Sequence, residues 1–179
     1  MSTFNETINA IKNDLPSNKF SLKDFLVNYF HSPRFRVLLN HRLGKYLSKR
    51  HFFLFRHMSA YYRTRLLVKR GCDISYNAIV GKNVLMPHPM GIVIGDKVEI
   101  HDNVVIFQQV TFGSHGKKAE KKNYPIVKNG AKIYAGAKII GGITIGENAI
   151  VGANSVVNVD VPPNSIAVGI PCRIINRHE

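Results

Sequence analysis

A chain of 179 residues, 45% of them hydrophobic, suits one domain with a sizeable core, or one domain with a small appendage. It has no apolar run near the roughly 18 residues of a membrane span, no basic-then-apolar leader pattern at its start, and two cysteines, Cys72 and Cys172, without metal-type spacing. A cytoplasmic protein with free thiols is therefore expected, and the net charge of +14 is its one unusual bulk property.

That charge is concentrated. Residues 31–70 hold eleven Lys and Arg and no Asp or Glu, while the rest of the chain holds fourteen basic and eleven acidic residues. Anionic phospholipid, nucleic acid or another polyanion are the partners such a segment invites, and a solvated set of helices is the plain alternative. In chain order, Thr3 to Glu6 fits a capping box, and Ser21 to Asp24 is a similar start. Ser32 before Pro33 puts a cap ahead of a first-turn proline. From Phe35 to about Val68, apolar residues recur at helical spacing. Leu38, Leu39, Leu43, Tyr46 and Leu47 read as one face, and Phe52, Phe53, Phe55, Met58, Tyr62 and Leu66 as another. Gly71 is placed to end the helical part. Residues 1–70 thus read as a basic α-helical segment.

From Ile74 the period becomes six. Hexads open on Ile74, Val80 and Met86, then Ile94, Ile100, Ile106 and Phe112, then Val127, Ile133, Ile139, Ile145, Val151 and Val157. Four residues after most of these openings comes a second inward residue: Ala78, Val84, Val98, Val104, Val110, Ala131, Ala137, Ile143, Ala149, Ser155 and Val161. Neither an amphipathic helix nor a hairpin has this period, which is that of a parallel β-helix. Residues 71–179 are assigned to it, so the fold class expected is mainly β with an N-terminal α-helical segment. The register breaks twice: between Met86 and Ile94, and between Phe112 and Val127, where a loop at about 114–125 should protrude. His88 lies in the first break, between Pro87 and Pro89, where a proline costs no ladder hydrogen bond.

Residues 71–175 resemble the left-handed β-helix acyltransferases, in particular their serine O-acetyltransferase-like branch. The resemblance is carried by HPMGIVIGD (88–96), VVIFQQVTFG (104–113), AGAKIIGGITIGENAIVGANSVV (135–157) and VPPNSIAVGIPCRII (161–175). It implies acetyl-CoA as co-substrate, no metal, and a homotrimer with the donor in the groove between subunits. It implies His88 as general base, oriented by Asp73, with a backbone N–H of Gly113 or Ser114 for the oxyanion. Ala135 and Ala153 match positions where pantetheine lies against the coils, with Tyr134 replacing a glycine beside one of them. Arg173 is placed to meet a CoA phosphate.

The departures from that branch concern the acceptor. Pro87 stands where an aspartate is usual, and Asn123 and Tyr124 replace an Arg-His pair. The helical part is also short and basic. These changes point to a sugar hydroxyl as acceptor in surface-polysaccharide synthesis, with Asn123, Tyr124 and His115 as candidate substrate contacts. The basic segment would then sit on the inner face of the cell membrane, and no nucleic acid is expected. The alternatives are true serine acetylation, acetylation of an antibiotic, and a non-catalytic trimer that docks polyanions or membrane. Zinc hydration is disfavoured, because the coils hold only His88 and His101.

Each of these residues also has a plain structural reading. His88 can be a satisfied corner histidine, Asp73 a turn cap, His115 and Arg173 solvated, and Tyr124 packed under the loop. The KKAEKK run at 117–122 reads as exposed loop, and Ser155 as packing.

Overall fold

The computed structural model describes residues 3–17, 20–116 and 123–176. The 117–122 run lies outside the described residues. Thr3 caps α1 (Phe4–Asn13) through a capping box, its N–H donating to Glu6 at 2.9 Å. Ser21 caps α2 (Leu22–His31), and Ser32 caps α3 (Pro33–Ser48) with Pro33 in the first turn. After a short break comes α4 (Phe53–Thr64), which continues into a π-type turn, Arg65–Lys69. Gly71 follows at φ +62°, the left-handed conformation that ends helices and that glycine adopts without strain.

The first expected helical face is inside: Leu38, Leu39 and Leu47 are buried and Leu43 packs beside them. The second is not. Phe52, Phe53 and Met58 are exposed, and of that set Leu66 is the one in the core. α4 approaches α3 through small residues instead. The buried Ser59 hydroxyl donates to the Gly44 carbonyl, and the Tyr76 hydroxyl donates to the Ser59 carbonyl at 2.9 Å. A Cβ on Gly44 would lie 2.0 Å from the Tyr76 oxygen, so the joint requires glycine there.

From Asp73 the chain winds as a left-handed parallel β-helix with three faces. Face A stacks Asp73–Ile74, Val93–Ile94, Thr111–Gly113, Lys138–Ile140 and Val156–Val157. Face B stacks Ile79–Val80, Glu99–Ile100, Ile126–Val127 and Thr144–Ile145. Face C runs from Val105–Ile106 through Lys132–Ile133 and Ile150–Val151 to Ser165–Val168, where Arg173–Asn176 returns antiparallel. Every hexad-opening residue from Ile74 to Val157, and every second inward residue from Ala78 to Val161, is buried. In the first register break Met90 is pushed outside and Ile92 takes its inward place, so the two extra residues leave the core intact.

The corners turn on a third column that the period-six pattern does not include. Asn83, Lys97, Asn103, Gln109, Asn148, Asn154 and Asn164 all have positive φ, as do Gly130 and Gly136. Each stands three residues after an inward strand residue. Asn enters this region more readily than most side chains. At Gly136 the constraint is also spatial, because a Cβ there would meet the Asn154 side-chain oxygen at 2.0 Å.

The first coil has no coil beneath it, and α3 closes that end. Arg42 donates to the Val80 and Gly81 carbonyls, Lys45 to Ala78, and Arg34 to Val84. Arg42 is itself held by Asp14, Nε to Oδ2 at 3.3 Å, with side chains 10% and 1% exposed. Burial pushes the Asp14 carboxyl up, against the pull of Arg42 and Arg34. Beside this joint His41 is fully buried with neither ring nitrogen well hydrogen-bonded. Burial, then Arg42 and Lys45, hold its imidazole well below the usual 6.5, while the Ile74 backbone favours the proton.

Replacing Arg42 by Leu strands the Asp14 carboxylate and the Val80 and Gly81 carbonyls. A loss of about 3 kcal/mol in denaturant unfolding is expected, the scale for breaking a buried ion pair. His41 is neutral in the fold and protonates more readily when unfolded. Its contribution is therefore complete above about pH 6.5 and is lost as pH falls below that value, at up to about 1.4 kcal/mol per pH unit. Unfolding of wild type and His41→Phe between pH 7 and 5 checks this; the variant should lack that part of the slope.

Candidate active site

The corner joining face C to face A carries most of the sequence-predicted donor positions in one column. Val105, Lys132 and Ile150 stack in register, which places Gln108, Ala135 and Ala153 above one another. Backbone bonds tie the column: Gly136 N–H to the Gln108 carbonyl and Asn154 N–H to the Ala135 carbonyl, both at 2.9 Å. Ala135 is half-buried and Ala153 exposed. Tyr134 stacks flat on Phe107 with ring centroids 5.0 Å apart, which covers the flank of the column without filling it.

His88 sits at the base of this corner, in the two-residue bulge. The bulge is pinned at its ends. The Met90 carbonyl accepts from Gln109 N–H, the Gly91 N–H donates to Gly71, and the Cys72 thiol donates to the Pro89 carbonyl at 3.3 Å. Cys72 is a free, buried thiol whose pKa is raised by that burial, so it acts as packing. The His88 ring is exposed and has no hydrogen-bond partner among the described residues, so it is available to a substrate. It lines a cavity of about 510 Å³ together with Arg36, Lys69, Arg70, Pro87 and Met90.

Asp73 is not brought to His88. Its carboxylate faces Arg63 across 3.9 Å and lines a separate cavity of about 550 Å³ with Lys49, Tyr76 and Asp96. The far edge of face A carries the remaining candidates. Gly113 is committed to the ladder, aligned with Ile140 and accepting from Gly141 N–H at 2.9 Å. Ser114 follows the strand, and its hydroxyl accepts from Gly116 N–H. The Tyr124 ring packs on the core against Gly95, and the Asn123 side-chain oxygen is buried without a partner. The His115 ring lies over Gly141, where a Cβ would be 2.9 Å from it. Arg173 is exposed in the C-terminal hairpin, and the Ser155 hydroxyl accepts from Gly169 N–H inside the core. Among the described residues, no group of three His, Cys, Asp or Glu is placed to hold a metal ion.

Arg36, Lys69 and Arg70 were not among the sequence candidates. The signal was present in the acid-free charge of 31–70, but it read as a surface property because nothing in sequence links these positions to His88.

A stacked hexapeptide coil with an accessible histidine in a corner bulge defines a class. The family model described as bacterial transferase hexapeptide (six repeats) matches residues 124–158. The soybean serine acetyltransferase apoenzyme superposes with a TM-score of 0.79 at 33% identity, over 94% of this chain and 69% of that one. A serine acetyltransferase solved in complex with CoA superposes at 0.76 with 30% identity, over 96% and 71%. The chain belongs to the hexapeptide-repeat, left-handed β-helix acyltransferase family.

Within it, similar curated proteins include serine acetyltransferases. That of Bacillus subtilis is 43% identical over 140 residues, 75% of this chain and 60% of the relative. That of Buchnera aphidicola from Schizaphis graminum is 35% identical over 177 residues, 95% of this chain and 65% of the relative. The chain thus spans less than two thirds of the length of these relatives. The expectation of a sugar acceptor in polysaccharide synthesis is overturned by these matches. It rested partly on treating the helical segment as foreign to the serine branch, yet the Buchnera alignment runs through 95% of the chain, helices included.

Proposed function

We propose that this chain is an acetyl-CoA-dependent serine O-acetyltransferase with His88 as general base. The observation that carries the reading is the exposed His88 ring at the foot of the Gln108–Ala135–Ala153 column, in a chain whose curated relatives are serine acetyltransferases.

The hydroxyl oxygen of serine attacks the thioester carbonyl of acetyl-CoA while His88 takes its proton. The carbonyl π electrons move to oxygen, and the resulting oxyanion needs a donor. Of the two candidates, Ser114 N–H is favoured, since Gly113 is held in the ladder. Collapse of the intermediate breaks the carbon–sulfur bond, and the imidazolium returns its proton to the leaving thiolate. Pantetheine is taken to lie along Ala135 and Ala153, with Arg173 toward the phosphates.

His88 and Ser114 lie on opposite edges of face A, so a single chain separates the base from the oxyanion donor. A closed homotrimer, with the leading corner of one chain against the trailing corner of the next, unites them. The family resemblance gives Asp73 the part of orienting His88; in this chain its carboxylate faces Arg63 at 3.9 Å, so the part is tested directly by Asp73→Asn. No helix of the described residues is long and apolar enough to cross a membrane, and three cations of the basic segment, Arg34, Arg42 and Lys45, bond the coil end.

Thiol release from acetyl-CoA with L-serine tests the reading. His88→Ala should lower kcat by 100-fold or more, the usual scale for a general base. Asp73→Asn should lower kcat with little change in the KM for acetyl-CoA. Full activity of His88→Ala, or no turnover of serine by the wild type, rejects the proposal.

A further inference from the structure

The cavity beside His88 is charged on one side only. Arg36, Lys69 and Arg70 line it, and no Asp or Glu does. The Nε atoms of Arg36 and Arg70 are both buried without a hydrogen-bond partner, an arrangement that is costly unless a ligand supplies the acceptor. Nor does either guanidinium meet a carboxylate elsewhere among the described residues; Asp14 and Asp73 are taken by Arg42 and Arg63. The arginines also oppose one another. Burial, and then Arg36 and Arg65, pull the Arg70 pKa down. Pro33, at the N-terminus of the sixteen-residue helix α3, lines the same cavity and adds the positive end of that helix.

Position gives this charge a purpose. The column Gln108–Ala135–Ala153 leads away from His88 toward the C-terminal coils, whereas the cavity opens on the side of α3 and Gly71. His88 is the wall between the two. A donor arriving along the column leaves the cavity for the acceptor, and the acceptor part that matches three cations is an anion.

We infer that Arg36 and Arg70, with Lys69 at the rim, hold the carboxylate of the acceptor amino acid and so aim its hydroxyl at His88. The inference rests on the proposed serine acetyltransferase reading and adds specificity residues to it. A planar guanidinium suits a carboxylate, which accepts two parallel N–H bonds.

The test compares L-serine with L-serinamide, which keeps the hydroxyl and the amine but lacks the anion, in wild type, Arg36→Gln, Arg70→Gln and Arg36→Lys. The readouts are kcat/KM for each acceptor by thiol release, and calorimetric binding of L-serine and of inorganic phosphate with CoA present. Thermal unfolding verifies that each variant is folded. Wild type should prefer serine to serinamide, and each Gln variant should reduce that preference and the affinity for serine about ten-fold or more, with the KM for acetyl-CoA unchanged. Arg36→Lys should recover part of the loss. If serine turns over normally and the preference survives both Gln substitutions, the carboxylate is held elsewhere; the inference is rejected while the proposed function stands. If wild type neither binds nor acetylates serine, the proposed function fails. Phosphate binding that the Gln variants weaken would then mark an anion site for a phosphorylated acceptor, which also rejects the carboxylate. No anion binding at all rejects the pocket outright.

Discussion

A parallel β-helix satisfies its backbone by stacking coil on coil, so the first coil is left with carbonyls and nothing beneath them. The rest of this structure is organised around that end. A helix running across the opening has no spare backbone N–H groups to offer, and only long side chains ending in donors reach down. α3 supplies them from one stripe: Arg34, Arg42 and Lys45 donate to Val84, Val80, Gly81 and Ala78. Apolar Leu38, between them on the same face, enters the coil core. The requirement for donors without acceptors accounts for three of the cations in this part of the chain, Arg34, Arg42 and Lys45. It also explains Asp14, which comes from α1 to balance the most deeply placed of them. Lys45, pushed down to about 8 by burial and by Lys49 and Arg42, records the cost of crowding cations at one joint.

The coil itself was legible because its constraint is local and repeated. One large and one small inward side chain per strand is a one-dimensional rule, and every residue it named, from Ile74 to Val161, is buried. The corners follow another such rule, an Asn or Gly three residues after the inward residue, visible in Asn83, Asn103, Asn148, Asn154 and Asn164 but hidden behind the stronger apolar period. The helix caps at Thr3, Ser21 and Ser32 are local too, and all three form. Periodicity failed on α4. Its aromatic residues have helical spacing, yet the contact with α3 is made by Gly44 and Ser59, so Phe52 and Phe53 stay outside. Small residues allow close approach and leave no hydrophobic signal.

The site divides along the same line. The break in register singled out His88, since an insertion into a coil must project and the core beneath it closes over Ile92. What surrounds His88 could not be read, because its neighbours come from three separate stretches: Arg36 on α3, Lys69 and Arg70 where the π-type turn ends, and Met90 in the bulge. The acceptor was misjudged for a related reason. Pro87, Asn123 and Tyr124 were weighed as absences at positions of the coil, whereas the cations nearest His88 belong to the helices. Tyr124 and Asn123 lie at the other edge of face A, with the Tyr124 ring packed onto Gly95.

The two uses of α3 are not independent. Arg34 and Arg42 are hydrogen-bonded to carbonyls and Arg42 is paired with the Asp14 carboxylate, while Arg36, two residues on from Arg34, faces the cavity with no carboxylate partner and Arg70 close by. Helix α3 is therefore fixed against the coil by one set of cations and strained at its N-terminus by another. An anion bound between Arg36 and Arg70 removes that repulsion, and by linkage whatever binds the folded state stabilises it. On the proposed mechanism, an acceptor that fills the cavity also tightens the helix that closes the coil, so substrate binding and the integrity of the open end are two effects of the same charges.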